Sequence, residues 1–327
     1  MAVSVSAPAV SGPPPSVCHL LAGYNLLLAL VWLVPLRAAD YAFWICAAHT
    51  GASLLPYWLA RVPERLPRLP RAIRDFYPLL LLPVFWAELD LLIPLLHDTA
   101  NDGPIAALEQ AIFGMQVSAA WMPSMPQVWL SEVMHFSYFA YYAAIYLPPI
   151  AVALAGRTAA LRDMVFRLMV TYLACYLIYI AFPVYGPHFL GAQYEGALTE
   201  GFFYRLVAAM QTAGDSKGCA FPSSHVAGAV TIAFLGWRWL SRGVAILLTV
   251  EAVGVLVSTV YTQNHYAVDA LSGLVWALAL QLLFVPLLVR RLARRPIRPG
   301  VPTLPRIPDP RRNVPAPSIP LAAGGGR

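Results

Sequence analysis

Repeated apolar runs, each about as long as a bilayer-spanning helix, constrain this chain most. Of its 327 residues, 59% are hydrophobic and 12% are charged, whereas a soluble domain typically has about 25% charged residues. Uninterrupted apolar runs of ~20 residues are typical of transmembrane helices. The sequence therefore predicts an all-α, polytopic membrane protein. The eight predicted spans are 17–36, 41–60, 77–96, 131–155, 168–185, 223–240, 244–262 and 265–289.

The basic residues between these spans fall mainly on one side of the predicted topology. The opposite side carries only Arg37, Arg205 and Lys217. Because arginine-rich loops stay in the cytoplasm, both termini are predicted to be cytoplasmic. Loops 97–130 and 186–222 are then extracytoplasmic. The arginine-rich side comprises Arg61, Arg65, Arg68, Arg71, Arg74, Arg157, Arg162, Arg167, Arg238, Arg242, Arg290, Arg291, Arg294, Arg295 and Arg298.

The segments outside the spans give three weaker predictions. Residues 1–16 contain no Lys or Arg, so we expect a disordered N-terminus and a retained first helix rather than a cleaved signal. Residues 290–327 are basic and proline-rich and predict a disordered cytoplasmic tail. The stretch IAALEQAIFG (105–114) predicts a short helix, either amphipathic in the membrane interface or an ordinary loop helix. Four scattered cysteines indicate neither a disulfide framework nor a zinc site.

A polar stretch, DSKGCAFPSSHVAG (215–228), stands at the outer end of the sixth predicted span. Ser223 and Ser224 can cap the helix that follows, and its first-turn N–H groups can bind an anion. Lys217 adds a positive charge just upstream. His225, on the first turn, faces the same place and can exchange a proton near neutral pH. The stretch predicts a phosphate site.

A second polar stretch, STVYTQNHYAVDALSG (258–273), begins the eighth predicted span. His265 and Asp269 are four residues apart, so on a helix they share one face. A carboxylate in that position fixes the tautomer of a histidine and raises its basicity. Both stretches lie on the extracytoplasmic side and can therefore meet.

Together the two stretches resemble the type-2 phosphatidic acid phosphatase superfamily. Its PSGH motif is matched by Pro222 to His225, and its SRxxxxxHxxxD motif by Ser258 to Asp269. The residues of the two motifs, AFPSSHVAG and YTQNHYAVDALSG, are more similar to the branch that contains inositolphosphorylceramide synthases and related inositol phosphotransferases. The resemblance implies a six-helix catalytic core over 77–289. Two accessory helices and an arginine-rich loop over 17–76 would precede it.

The resemblance also implies roles for individual residues. His265 would attack phosphorus and become a phosphohistidine, Asp269 would orient it, and His225 would protonate the leaving oxygen. His225 would then deprotonate the acceptor, which is water or an alcohol. Phosphate contacts would come from Ser223, Ser224, Lys217 and His188. No metal and no cofactor is required for this chemistry, and the expected partners are a lipid phosphoester and its acceptor.

The sequence departs from the family pattern at its basic residues. The family's KxxxxxxRP motif is absent, and Thr259 stands where the second motif has arginine. These basic groups normally neutralise a phosphomonoester dianion. Their absence favours a phosphodiester substrate, and hence phosphoinositol-type transfer, over simple monoester or diphosphate hydrolysis, which stays the alternative.

A transporter without chemistry is the alternative from another class. Glu88, Asp90 and Glu251 fall inside predicted spans, where carboxylates are costly and often functional. They would line a polar headgroup cavity, pair with other polar groups, or couple transport to protons. His19, His49 and His135 are interpreted as structural residues. Arginine-rich, lysine-poor usage suggests a high-GC bacterium, in which the site would be periplasmic.

Overall fold

The computed structural model describes residues 17–61, 67–191 and 194–293. These residues form helices and contain no β-strand beyond an isolated bridge between Val184 and Cys219. The predicted disordered termini lie outside the described residues, except that the last helix continues to Ala293. The helices are α1 (Val17–Val31), α2 (Ala42–Ala52), α3 (Leu55–Ala60), α4 (Arg68–Leu80), α5 (Leu82–Leu96), α6 (Asp102–Phe113), α7 (Val117–Ser124), α8 (Val128–Leu154), α9 (Thr158–Ala181), α10 (Pro187–Leu190), α11 (Phe202–Gly214), α12 (Ser224–Trp239), α13 (Arg242–Tyr261), α14 (Ala267–Ala279) and α15 (Val285–Ala293).

Five helical stretches in the described part are long and apolar enough to cross a membrane. They are Leu69–Leu96, Val128–Leu154, Thr158–Ala181, Arg242–Tyr261 and Ala267–Arg291. The all-α, multi-pass membrane class is therefore confirmed, while the number of eight spans stays a prediction. The three other predicted spans correspond to α1, to α2 and α3, and to α12. Each of these helices is shorter than the ~20 residues that a bilayer needs.

The half of the bundle that carries both polar motifs is built around α12, which packs on α8, α9, α13 and α14. Two glycines permit close approaches there. A Cβ at Gly228 would lie 2.1 Å from the Tyr172 hydroxyl, and one at Gly273 would lie 2.4 Å from the Ser223 carbonyl oxygen. Because Gly273 lets α14 contact the start of α12, the two predicted motifs are packed against each other.

Charged residues collect at the opposite end of the bundle from the histidines. Asp163, on the first turns of α9, accepts from Arg167 at 3.0 Å and from Arg238 at 2.9 Å. Arg238 and His225 both belong to α12 and lie about 20 Å apart at 1.5 Å per residue. Arg238, with its partner Asp163, and His225 thus lie at opposite ends of α12, while the orientation in the membrane stays a prediction.

The accessory helices join the core through a buried polar network. His49 on α2 lies 2.8 Å from Asn25 of α1 and 2.7 Å from Glu88 of α5. Trp32 donates to the same oxygen of Glu88 at 2.5 Å. The side chains of His49 and Glu88 therefore hydrogen-bond to each other, and Asn25 and Trp32 supply their further partners.

Candidate active site

The two polar motifs meet at a pair of histidines. His225 lies on the first turn of α12, and His265 lies in the short loop between α13 and α14. Their facing nitrogens, His225 Nδ1 and His265 Nε2, are 3.5 Å apart. Both side chains are buried, with 8% and 3% of their surfaces exposed. Two imidazoles that share one cavity can divide nucleophilic and acid–base work.

Local backbone contacts hold the two histidines in place. The Ser223 hydroxyl caps α12 by accepting from the Val226 N–H at 3.3 Å. The Ser223 N–H donates to the Asp269 carbonyl at 3.0 Å, which ties the start of α12 to α14. The His265 N–H donates to the Thr259 carbonyl at 3.0 Å. The imidazoles therefore project from backbone that is fixed on both sides.

Asp269 lies behind His265, on the side away from His225. Its Oδ2 accepts from the Tyr266 N–H at 2.9 Å and lies 3.7 Å from His265 Nδ1. That separation is longer than a hydrogen bond, and neither His265 Nδ1 nor Asp269 Oδ1 has a hydrogen-bond partner. Catalytic contacts are often long before substrate binds and tighten in the complex. Asp269 is placed to orient His265 after a movement of less than ~1 Å.

Burial determines the protonation of His265. Desolvation lowers the pKa of His265 to about 4, so the imidazole is neutral at pH 7. A neutral imidazole has a lone pair on one nitrogen, as a nucleophile requires. With that lone pair on Nε2, the hydrogen on Nδ1 faces Asp269.

Tyrosines surround His225. The Tyr138 hydroxyl lies 3.1 Å from His225 Nε2, and the ring of Tyr141 is centred 4.8 Å from the imidazole. The Tyr138 hydroxyl can donate to His225 Nε2 or accept from it, so this contact persists whether His225 is neutral or protonated.

Two cavities reach the histidines, and a third adjoins both of these cavities. An aromatic cavity of about 290 Å³ extends from His225 between α5, α8 and α9. A polar cavity of about 430 Å³ lies among the outer loops and is lined by glutamine, threonine, tyrosine and histidine side chains. A small cavity of about 20 Å³, which both His225 and His265 line, lies between them. The volumes of the two larger cavities lie near the lower end of those of small-molecule sites.

Only some of the residues predicted to bind phosphate line the cavities. Ser224 lines the aromatic cavity, and His188 lines both the polar cavity and the small one. Ser223 is fully buried and serves as the cap of α12. Lys217 is exposed, and its Nζ lies over the Phe189 ring at 5.8 Å, outside the cavity linings.

The described residues that line the three cavities include no lysine or arginine. Arg205 is exposed and turned back toward the Gly201 carbonyl. Thr259, at the position of the missing arginine, is fully buried. The positive charge that a doubly charged phosphate monoester requires is therefore absent from these walls.

Two lining residues were missed by sequence reasoning. Tyr138 lies in the aromatic-rich stretch MHFSYFAYYAAIY (134–146), which favours packing and an interfacial belt, with the lining of a lipid headgroup cleft as the alternative. No sequence pattern pairs it with His225. Asp215 opens the polar stretch at 215–228 but was not assigned a role. It lines all three cavities, and burial raises its pKa to about 6.

Comparison with known proteins identifies one relationship. A family model described as the PAP2 superfamily matches residues 104–283, which include both histidine motifs and more than half of the chain. Searches of curated proteins and of solved structures found no match.

Proposed function

The chain belongs to the PAP2 superfamily and is thus a membrane enzyme of phosphatase or phosphotransferase type, and we propose that it transfers a phosphoryl-alcohol group from a lipid phosphodiester through a phosphohistidine on His265. The observation that carries the proposal is the pair of facing histidine nitrogens 3.5 Å apart, with Asp269 behind one of them. The donor that we propose is a phosphoinositol-type lipid.

In the first step, His265 Nε2 attacks phosphorus and the bond from phosphorus to the lipid oxygen breaks. His225, held as an imidazolium beside the bound phosphodiester anion, gives its Nδ1 proton to that leaving oxygen and becomes a neutral imidazole, so the lipid departs as a neutral alcohol. Asp269 stabilises the charge that develops on His265 as the N–P bond forms. Donors at the start of α12 stabilise the oxygens around phosphorus.

In the second step, His225 takes a proton from the acceptor hydroxyl, whose oxygen attacks phosphorus. The N–P bond breaks, and both histidines return to their starting state. Water and a lipid alcohol are equivalent in this step except for their placement. An alcohol wins only if the enzyme holds it close to phosphorus.

The residues that line the cavities favour a phosphodiester substrate with a polar headgroup. Without lysine or arginine in the lining, a singly charged diester is favoured over a doubly charged monoester. The aromatic cavity suits the apolar part of a lipid, and the polar cavity suits a hydroxyl-rich headgroup such as inositol. The polar cavity also suits water, so hydrolysis of a lipid phosphoester is the second candidate function.

We place the site on the extracytoplasmic side, with both termini in the cytoplasm. The support is the separation of the arginine-rich end of α12 from its histidine-bearing end, together with the positive-inside rule. Labelling of single-cysteine variants in intact cells tests this orientation.

The test of function is a lipid panel with purified protein in nanodiscs. Labelled phosphatidate, a polyprenyl diphosphate and phosphatidylinositol, with and without ceramide, are compared for wild type and His265→Ala. His19→Ala is the matched control, because His19 is exposed and contacts Tyr57 rather than the site. We expect phosphoinositol transfer only with an intact His265. Release of free phosphate from phosphatidate would identify a phosphatase, and equal activity in His265→Ala would exclude this mechanism.

A further inference from the structure

Asp215 occupies the one junction shared by the three cavities around the histidines. It follows α11 and lines the aromatic, the polar and the small cavity. His225 lines the aromatic and the small cavity but not the polar one. Among the described lining residues, Asp215 is the only acidic side chain. The polar cavity and the small cavity share Asp215, His188 and Phe189, and of these only Asp215 also lines the aromatic cavity.

The backbone on both sides of Asp215 is fixed to a single tryptophan. Trp86 Nε1 donates to the Gly214 carbonyl at 2.8 Å, and the Ser216 hydroxyl donates to the Trp86 carbonyl at 2.9 Å. The Asp215 N–H donates to the Gln211 carbonyl at 2.9 Å and ends α11. A carboxylate in a rigid turn is pre-organised for binding, because little conformational freedom remains to be lost.

The polar groups beside Asp215 are those that recognise hydroxyls rather than charges. Gln211, Thr262 and Gln263 line the same polar cavity. The Gln211 amide donates to Asn264, which lines the small cavity with both histidines. Amides, hydroxyls and one carboxylate form a hydrogen-bonding set for a polyol, and a carboxylate is its strongest acceptor.

We propose that Asp215 is a specificity-determining residue that accepts a hydrogen bond from a hydroxyl of a polyol headgroup in the polar cavity. This inference rests on the proposed function, since the headgroup is that of the donor lipid. Asp215 thereby selects donors with a hydroxylated headgroup and holds their phosphorus beside His265.

The charge state of Asp215 agrees with this role. Burial raises the pKa of Asp215 to about 6, and the nearby carboxylate of Asp90 also raises it. The hydroxyls of Tyr138 and Tyr142 face it from α8. At pH 7.5 the carboxylate is ionised and accepts hydrogen bonds, whereas a bare phosphomonoester dianion would be repelled.

The experiment compares donors with and without a polyol headgroup. Asp215→Asn and Asp215→Ala are assayed on phosphatidylinositol, phosphatidylethanolamine and phosphatidate. Asp98→Asn is the control, because Asp98 is exposed and lines none of the three cavities. We expect kcat/KM for phosphatidylinositol to fall at least about tenfold in Asp215→Asn, mainly through KM, as for the loss of a charged hydrogen bond. Any turnover of phosphatidate is expected to stay unchanged or to rise.

Other outcomes overturn the inference. A larger loss for phosphatidylethanolamine would show that Asp215 binds a cationic amine instead. A uniform loss as complete as that of His265→Ala would place Asp215 in the chemistry, and no loss would exclude a role in recognition.

A binding measurement separates the inference from the proposed function. Glycerophosphoinositol, a singly charged phosphodiester with the inositol headgroup, is titrated calorimetrically into wild type and Asp215→Asn, with no turnover required. Weaker binding to the variant supports the inference even if no lipid is transferred, whereas equal binding or none overturns it. Wild type that binds the headgroup without consuming any lipid phosphoester would contradict the proposed function alone.

Discussion

His265 Nε2 lies 3.5 Å from His225 Nδ1, although the two residues are forty positions apart in the chain. At that distance no phosphorus atom fits on a line between the nitrogens, since each needs about 3 Å to the reacting atoms. The proposed mechanism therefore requires a phosphoester to separate the rings, with one ring on each side of the phosphorus atom.

The acid role of His225 is tested by changing the leaving group. His225→Ala should lower turnover of an alkyl phosphodiester by about 10² to 10⁴, the usual contribution of a general acid. A nitrophenyl phosphodiester should be much less affected in its first step, because nitrophenolate leaves without a proton. Burst kinetics with the nitrophenyl ester measure this step. Equal losses for both substrates would contradict the assignment.

The orienting role of Asp269 predicts a large effect from a conservative change. Asp269→Asn preserves the shape but removes the charge that stabilises His265, so kcat should fall at least about 10²-fold. Because Asp269 also accepts from the Tyr266 N–H at 2.9 Å, the variant must be shown to fold. An unchanged melting temperature with lost activity identifies a catalytic effect, whereas a parallel loss of both would indicate a structural one.

The two histidine motifs and the all-α membrane class could be predicted from the sequence, because both depend on local spacing. His265 lies in the loop before α14 and Asp269 on its first turn, and their four-residue spacing still places the two side chains 3.7 Å apart. Several span boundaries were predicted less well. The predicted span 168–185 is observed as α9, Thr158–Ala181. The additional first turns of α9 carry Asp163, which pairs with Arg167 and Arg238.

Asp215 and Tyr138 could not be assigned from sequence for a different reason. Their positions depend on how α11 and α8 pack on α12, which no short-range pattern encodes. The hydroxyl of Tyr138 contacts His225 across 87 positions. Lys217 shows the opposite case, since a lone lysine near a motif predicted a phosphate contact, whereas its ammonium lies over Phe189.

The low pKa of His265 predicts an acid-tolerant nucleophile. Desolvation lowers the pKa of His265 to about 4, so it stays unprotonated as pH falls from 7 to 5. In the pH profile of kcat/KM, the acidic limb that reports protonation of His265 should lie near pH 4 rather than near pH 6.5. Between these values the unfolded chain binds more protons than the folded one, so stability should rise with pH. A pH profile in nanodiscs measures the limb, and a limb at 6.5 would contradict this assignment.

The hydrogen-bonded network of His49, Glu88 and Asn25 predicts that substitutions of His49 and Glu88 have coupled effects on the free energy of unfolding and leave lipid turnover unchanged. Either Glu88→Leu or His49→Leu leaves a buried polar group unpaired and should destabilise the accessory helices by about 1 kcal/mol or more. The double variant should lose less than the sum of the single losses. Denaturation in detergent measures the three values. Additive losses would show that the pair is not coupled.

Substitution of Glu251 distinguishes the enzyme hypothesis from the hypothesis of a proton-coupled carrier. It lies on α13, its Oε1 has no hydrogen-bond partner, and it lines none of the three cavities at the histidines. Glu251→Gln should therefore keep lipid turnover within about twofold, as for a substitution away from the site. Proton-coupled transport through this carboxylate would instead be abolished by the same change, because the amide cannot exchange a proton. Turnover and lipid movement are measured in the same proteoliposomes, with His265→Ala as the reciprocal variant. Lost movement with intact turnover in Glu251→Gln would show a second activity, and lost turnover would overturn the separation of Glu251 from catalysis.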